Sequence, residues 1–126
     1  MKLTSLANLL SGKLSANDFS AEIAEELSEH TRGVQRLGGS APVVVTQDMN
    51  LILDRPGLST LCRLFASGQL SAGELAYTVD AMQLSEGVEF ADSAIADHLD
   101  ECTDPENNGP LTVSRALEIA GYGNAA

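Results

Sequence analysis

Cysteine is scarce in this sequence. The 126 residues include only Cys62 and Cys102, too few for the disulfide framework of a small secreted domain. Both fall at apolar positions of predicted helices, so we expect reduced thiols in the core. A single disulfide bridge is the alternative. The scarcity favours a cytoplasmic protein.

Long apolar runs are also absent. No stretch approaches the roughly 18 apolar residues of a transmembrane helix. The N-terminal run MKLTSLANLLSGKLSAND is broken by Ser and Asn, which makes it a poor match to a signal peptide. An apolar content of 44% and a mean hydropathy of +0.01 are typical of a folded globular chain. The length predicts a single domain that covers residues 1–126.

Basic residues are nearly missing from the second half of the chain. Residues 1–63 carry seven acids and six Lys or Arg, a net charge of −1, whereas residues 64–126 carry eleven acids and only Arg115, a net charge of −10. Such a surface repels nucleic acids and anionic membranes and attracts basic proteins. The alternative is that the negative charge serves solubility only.

One nine-residue pattern occurs twice. SGKLSANDF begins at position 11 and SGQLSAGEL begins at position 67. Gly12 and Gly68 are typical of the left-handed residue that follows a helix end. Ser15 and Ser71 are expected to cap the next helix, and an acidic residue three positions later completes a capping box. The pattern therefore predicts a duplicated helix–turn–helix hairpin.

Further helical patterns predict a mainly α bundle of about five helices. The helix before the second turn is expected to start near Asp54, with Pro56 in its first turn. Asp92–Cys102 predicts another helix. Thr112–Ala120 predicts the last helix, with four apolar residues facing inward: Val113, Ala116, Leu117 and Ile119.

Two segments between the second and third helices do not fit a helical pattern. Arg32–Pro42 is rich in glycine and is predicted to be a connector. Val43–Gln47 and Asn50–Leu53 are β-branched or aliphatic. We therefore expect a short β-hairpin, or a pair of edge strands, within residues 43–53.

Paired helices can bind DNA, but these lack the residues for it. The helix after the second turn, ELAYTVDAMQ, has no basic residue, and the helix after the first, DFSAEIAEEL, has four acids. Contacts to phosphates require Lys or Arg. We therefore do not expect direct binding of nucleic acid.

Residues suited to catalysis or metal binding are few. Glu26 and His30 are four positions apart and could face one metal ion, but no third ligand is near. His30 continues the apolar stripe of its helix, so we expect a half-buried structural histidine. Asp104–Gly109 opens like a calcium loop, yet Arg115 stands at position 12, where a bidentate acid is needed.

No motif of a known catalytic site is present in the sequence. There is no nucleophile-elbow motif with a Ser/His/Asp arrangement, and there is no glycine-rich phosphate loop. The many carboxylates are typical of a solvated acidic face rather than of a tuned catalytic pair. We expect a protein that is not an enzyme and that has no cofactor and no metal.

The stretch LLSGKLSANDFSAEI, from Leu9 to Ile23, resembles the N-terminal region of small helical immunity proteins of bacterial toxin systems. Immunity proteins of colicin-like tRNA-cutting nucleases and of contact-dependent growth inhibition systems have such a region. The resemblance implies a stoichiometric inhibitor that covers the basic site of a nuclease.

Charge and resemblance favour the same function, an immunity protein or inhibitor that binds a basic bacterial toxin, a nuclease, through an acidic surface. A nuclease cleft is basic because it must attract phosphates, so an acidic protein can compete there. The alternative is an acidic helical adaptor or regulatory subunit that binds a basic region of another protein. The residues expected to contact the partner are Glu86, Glu89, Asp92, Asp97, Asp100, Glu101 and Asp104.

Overall fold

A computed structural model of the protein describes residues 1–37, 43–103 and 109–124. These residues form six helices and two short strands: α1 (Leu3–Ser11), α2 (Ala16–Leu37), β1 (Leu51–Leu53), α3 (Arg55–Ala66), α4 (Ala72–Leu84), β2 (Val88–Phe90), α5 (Ser93–Glu101) and α6 (Val113–Asn124). The prediction of a mainly α fold with a short strand near 43–53 is confirmed. None of the helices in these three ranges has the length and apolar character needed to cross a membrane.

The repeated pattern forms the two predicted helical hairpins, α1–α2 and α3–α4. Gly12 and Gly68 follow the first helix of each pair with φ of 82° and 81°. The two residues after each glycine donate backbone hydrogen bonds to a single carbonyl near the helix end. That carbonyl belongs to Asn8 in the first copy (2.8 and 3.1 Å) and to Leu64 in the second (2.9 and 3.1 Å). The two turns therefore share one hydrogen-bonding pattern.

The serine of each copy caps the second helix of its hairpin. The Ser15 hydroxyl accepts a hydrogen bond from the Asp18 N–H at 3.1 Å. The Ser71 hydroxyl accepts from the Glu74 N–H at 3.1 Å, and the Glu74 carboxylate accepts from the Ser71 N–H at 2.8 Å. The second copy thus has the complete capping box, which satisfies two backbone donors that the helix itself leaves unpaired.

The strands do not form the predicted hairpin within residues 43–53. β1 pairs in parallel with β2, in the register Leu51–Val88, Ile52–Glu89 and Leu53–Phe90. Thr46 instead forms a parallel bridge with Lys2. Each helical hairpin lies between two extended segments that run in the same direction, Lys2 and Thr46 around α1–α2 and β1 and β2 around α3–α4. A local hairpin would be antiparallel.

The chain therefore contains two copies of one larger unit, in which parallel extended segments flank a helical hairpin. In each unit, an aspartate shortly after the closing segment binds the start of the first helix. Asp48 accepts a hydrogen bond from the Thr4 N–H at 3.0 Å, and Asp92 accepts one from the Arg55 guanidinium at 3.1 Å. The bonds from Thr4 hold the pKa of Asp48 below its ordinary value. The duplication thus extends beyond the nine repeated residues.

The core lies between the helices and one face of the small sheet, and α6 packs against α3. Its largest fully buried side chains are Tyr77, Phe19, Leu3, Leu6, Ile23, Leu53, Leu58, Leu61, Leu70, Leu75, Met82 and Ile95. Gly87 lies where the two units meet, and its N–H donates to the Gln47 side chain at 2.7 Å. A Cβ at this position would lie 3.1 Å from Cδ1 of Leu3 and 3.3 Å from the carbonyl oxygen of Met49. The approach of the two units therefore leaves little room for a side chain at residue 87.

Helix α2 is longer than predicted. It continues to Leu37 and so includes the first six residues of the predicted connector Arg32–Pro42. The rest of that connector, residues 38–42, lies outside the described residues. Arg, Gln and Leu are good helix formers, and one internal glycine costs a helix only about 1 kcal/mol. The single Gly33 therefore does not end the helix.

Helix α6 buries a different face from the one predicted. Ala116 and Ile119 are buried as expected, together with Ala120. Val113 and Leu117 are 50% and 52% exposed, so their predicted inward orientation is wrong. The small alanines of this helix face the core because they allow α6 to lie close to α3.

Candidate partner-binding surface

Three of the acids predicted to contact a partner are open to solvent. Glu86 lies between α4 and β2, Glu89 lies at the centre of β2, and Asp97 lies in the middle of α5. In the part of the chain that the structure describes, none of the three forms an ion pair. Their charges are therefore available to a partner.

Two other predicted contact residues are used by the fold. One oxygen of Asp92 accepts from the Ile95 N–H at 3.1 Å and caps α5, while the other oxygen pairs with Arg55. Glu101 accepts two hydrogen bonds from the Arg115 guanidinium, at 2.7 and 2.8 Å. These bonds hold the pKa of Glu101 below its ordinary value. Both carboxylates position helices and have their charge partly neutralised by an arginine.

The last two residues predicted to contact a partner are Asp100 and Asp104. Asp100 is exposed on α5 and accepts a hydrogen bond from the Gln83 side chain at 2.7 Å, which links α5 to α4. Asp104 lies outside the described residues, as does most of the calcium-like segment Asp104–Gly109. Asp100 is therefore exposed to solvent like the three open acids. The structure does not describe Asp104.

The acidic half of the chain contributes a single cation of its own. Arg115 is the sole Lys or Arg in residues 64–126. Its guanidinium is bound by Glu101 and also by Glu118, at 2.9 Å. Both carboxylates raise the pKa of Arg115, so this positive charge is permanent and is already engaged within the fold. The open acids keep their full effect on an approaching molecule.

Exposed apolar side chains accompany the open acids, and the sequence analysis missed them. Ile52 is 64% exposed and lies opposite Glu89 in the parallel register, so the two side chains share the outer face of the sheet. Leu84 is 70% exposed at the end of α4, two positions before Glu86. Since every residue of β1 is aliphatic, its sequence contains no signal for which side chain faces outward.

The residues considered for metal binding are engaged in packing. The Glu26 carboxylate accepts a hydrogen bond from the amino group of Met1. His30 is half-buried, and its ring meets the ring of Tyr77 edge-on with a centroid distance of 5.2 Å. Among the residues of known placement, no group of three or more His, Cys, Asp or Glu could hold a metal ion. His30 thus has the structural position that the sequence predicted.

Tyr77 completes this cluster from α4. Its hydroxyl accepts a hydrogen bond from the Val44 N–H at 3.1 Å. Burial raises the pKa of Tyr77 to about 12, and the nearby Glu26 carboxylate adds to the shift. The hydroxyl therefore stays protonated at neutral pH, and it joins α4 to the extended segment that follows α2.

The two cysteines are free and buried, as expected. Cys62 lies on α3 and Cys102 at the end of α5, where the hydrogen bond to Cys62 and burial both raise the pKa of Cys102. Cys102 also lines an apolar cavity of about 150 Å³, with Phe65 and Leu75 among its walls. A thiol is a weak nucleophile when its pKa is raised, so Cys102 is suited to packing rather than to catalysis. The hydrogen bond with Cys102 lowers the pKa of Cys62.

Comparison of the chain with protein-family models, with curated proteins and with solved structures found no match. Its function is therefore inferred from the surface described above.

Proposed function

We propose that this protein is a cytoplasmic immunity protein that binds and neutralises a basic bacterial toxin, a nuclease, through an acidic surface. One observation carries the proposal. Glu86, Glu89 and Asp97 are open to solvent in a half of the chain whose single arginine, Arg115, is already bound by carboxylates.

The proposed mechanism is competition for a basic cleft. A nuclease must attract the phosphates of its substrate, so its active cleft carries positive potential. A protein with a concentrated negative surface is steered to that cleft and associates with it faster than a neutral protein does. Once bound, the inhibitor excludes the nucleic acid without any reaction of its own.

A second candidate is an adaptor or regulatory subunit that binds a basic region of another protein. The exposed Ile52 and Leu84 support an adaptor as well as they support an inhibitor, because they make the surface partly apolar and suited to a folded partner. The two candidates share the binding surface and differ in what happens to the partner. Activity of the bound partner therefore separates them.

The test is capture of the partner at low salt, followed by an assay of its activity. Under the proposal, the immobilised protein retains a basic protein, and this protein is a nuclease that loses its activity at equimolar inhibitor. Expression of the inhibitor should also protect cells that produce the nuclease. A captured basic protein that keeps its activity in the complex supports the adaptor instead.

A charge-matched pair of variants shows whether the acidic surface causes the capture. Glu86→Lys/Glu89→Lys should lose the partner. Glu25→Lys/Glu29→Lys changes the charge equally on α2, where both glutamates are also exposed, and should retain it. Equal retention by the two variants would remove the acidic surface from the mechanism.

A further inference from the structure

One edge of strand β1 pairs with no residue in the ranges that the structure describes. In the parallel pairing with β2, the Leu51 N–H donates to the carbonyl of Gly87 at 2.8 Å, and the Ala91 N–H donates to the carbonyl of Leu53 at 2.9 Å. Alternate residues of a strand point their backbone groups to opposite sides, so the N–H and C=O of Ile52 point away from β2. No described residue forms a hydrogen bond with them.

The side chain at this edge is also open. Ile52 is 64% exposed, and Glu89 lies beside it on the same face of the sheet. Asp54, two positions after Ile52, is exposed and carries a second carboxylate, one oxygen of which accepts a hydrogen bond from the Gly57 N–H at 2.9 Å and caps α3. Proteins protect open edges by keeping the strand very short or with lysine, proline or a bulge, and β1 is short, with three residues, but contains no lysine or proline. This edge therefore combines backbone groups without a described partner, an apolar side chain and the Asp54 carboxylate, and Glu89 lies one strand further on the same face of the sheet.

We propose that β1 is a docking site for an extended, basic segment of the protein partner, which adds a third strand beside Ile52. This inference rests on the proposed function above and specifies how the partner is held. The backbone groups of Ile52 form hydrogen bonds with the segment, and the Ile52 side chain packs against it. Lys or Arg side chains of the segment pair with Glu89 and Asp54, which is why the segment is basic.

A short synthetic peptide of alternating Lys and Val is the probe, and its binding is measured by fluorescence anisotropy at low salt. Ile52→Pro removes the outward N–H but leaves the pairing with β2 intact, because that N–H is not used within the sheet. The variant should bind the peptide about tenfold more weakly, the effect of one lost hydrogen bond. The control Ile52→Val keeps the N–H and a β-branched side chain and should bind like the wild type.

A second comparison uses the unaltered protein, so it remains decisive if Ile52→Pro fails to fold. The same peptide with every internal amide N-methylated keeps its charge but cannot donate strand hydrogen bonds. It should bind about tenfold more weakly than the unmethylated peptide. In addition, the unmethylated peptide should slow hydrogen exchange of the Ile52 amide, followed by NMR.

The failure of this inference differs from the failure of the proposed function. Equal binding of both peptides, with binding lost in Glu89→Lys, overturns strand addition and leaves an acidic docking surface. Binding that neither methylation nor Glu89→Lys changes counts against both proposals, and so does the absence of any binding. Protection of the Ile52 amide that rises with protein concentration, without peptide, would show that a second copy of this chain occupies the edge.

Discussion

Gly12 and Gly68 occupy the same left-handed position in two copies of one turn, with φ of 82° and 81°. Each follows a helix, and each is followed within three positions by a serine that caps the next helix. Each hairpin also lies between two extended segments that run in parallel. One local pattern, used twice, thus sets the path of most of the first 90 residues.

We predict that valine at either glycine destabilises the fold. No atom lies within 4 Å of a Cβ added to Gly12 or Gly68, so the cost comes from the left-handed backbone and not from a clash. Gly12→Val and Gly68→Val should each lower the free energy of unfolding by about 1–2 kcal/mol, measured with urea. Asparagine tolerates this conformation, so Gly68→Asn should cost less. Equal costs for valine and asparagine would contradict the role given to the backbone.

The contact between the two units predicts that alanine at Gly87 and alanine at Gly73 have different effects on stability. A Cβ at Gly87 would crowd Leu3, Gln47 and the backbone of Met49, whereas a Cβ at Gly73 would meet only the Ser71 hydroxyl, at 3.9 Å. Gly87→Ala should therefore lower stability by about 1–3 kcal/mol, the usual cost of overpacking. Gly73→Ala, within α4, should be neutral or should raise stability by up to about 1 kcal/mol.

Urea denaturation of both alanine variants is the measurement. The two substitutions add the same methyl group, so Gly73→Ala controls for the effect of alanine itself. If Gly87→Ala is as stable as the wild type, the two units do not meet as closely as the distances at Gly87 indicate.

The buried Tyr77 predicts a loss of stability at alkaline pH. Burial raises its pKa from the ordinary value of 10.0 to about 12 in the folded protein. Because the folded state holds the proton more tightly, the contribution is fully present below pH 10 and is lost as the pH rises through 12. The free energy of unfolding, measured between pH 9 and 12, should fall more steeply in the wild type than in Tyr77→Phe. Identical slopes would mean that the hydroxyl is not buried.

Local features of the fold could be predicted from the sequence because their causes are local. The helix ends at Gly12 and Gly68 and the caps at Ser15 and Ser71 depend on residues within a few positions of each other. The pairing of Ile52 with Glu89 joins residues 37 positions apart in the sequence, and a run of aliphatic residues does not encode it. For that reason a strand was predicted near residue 52, but its partner was not.

For the candidate partner-binding surface too, the sequence predicted less than the structure shows. All acids of the second half look alike in sequence, yet Asp92 and Glu101 are held by arginines that lie 37 and 14 residues away along the chain. Glu86, Glu89 and Asp97 have no such partner among the described residues, which only the three-dimensional arrangement shows. The sequence therefore predicted an acidic surface, and the structure separates the acids that support the fold from those that face solvent.

The exposed face of α5 predicts how binding responds to charge. Asp97 and Asp100 both face solvent, while Ile95 and Leu99 of the same helix are buried. Asp97→Lys/Asp100→Lys should therefore leave the core intact, although it removes the hydrogen bond from Gln83 to Asp100. If the acidic surface steers a basic partner, this variant should associate more slowly, and its association rate should depend less on salt.

The association rate with the captured partner is measured by stopped-flow or surface-based kinetics over a range of salt concentrations. Glu25→Lys/Glu29→Lys on α2 is the charge-matched control. The control changes the net charge by the same amount, so a loss confined to the α5 variant locates recognition in the second half of the chain. The α5 variant should also give weaker protection to cells that produce the toxin. If its rate and salt slope match those of the wild type while the α2 variant is slowed, the partner binds the first half, and the acids of α5 serve solubility alone.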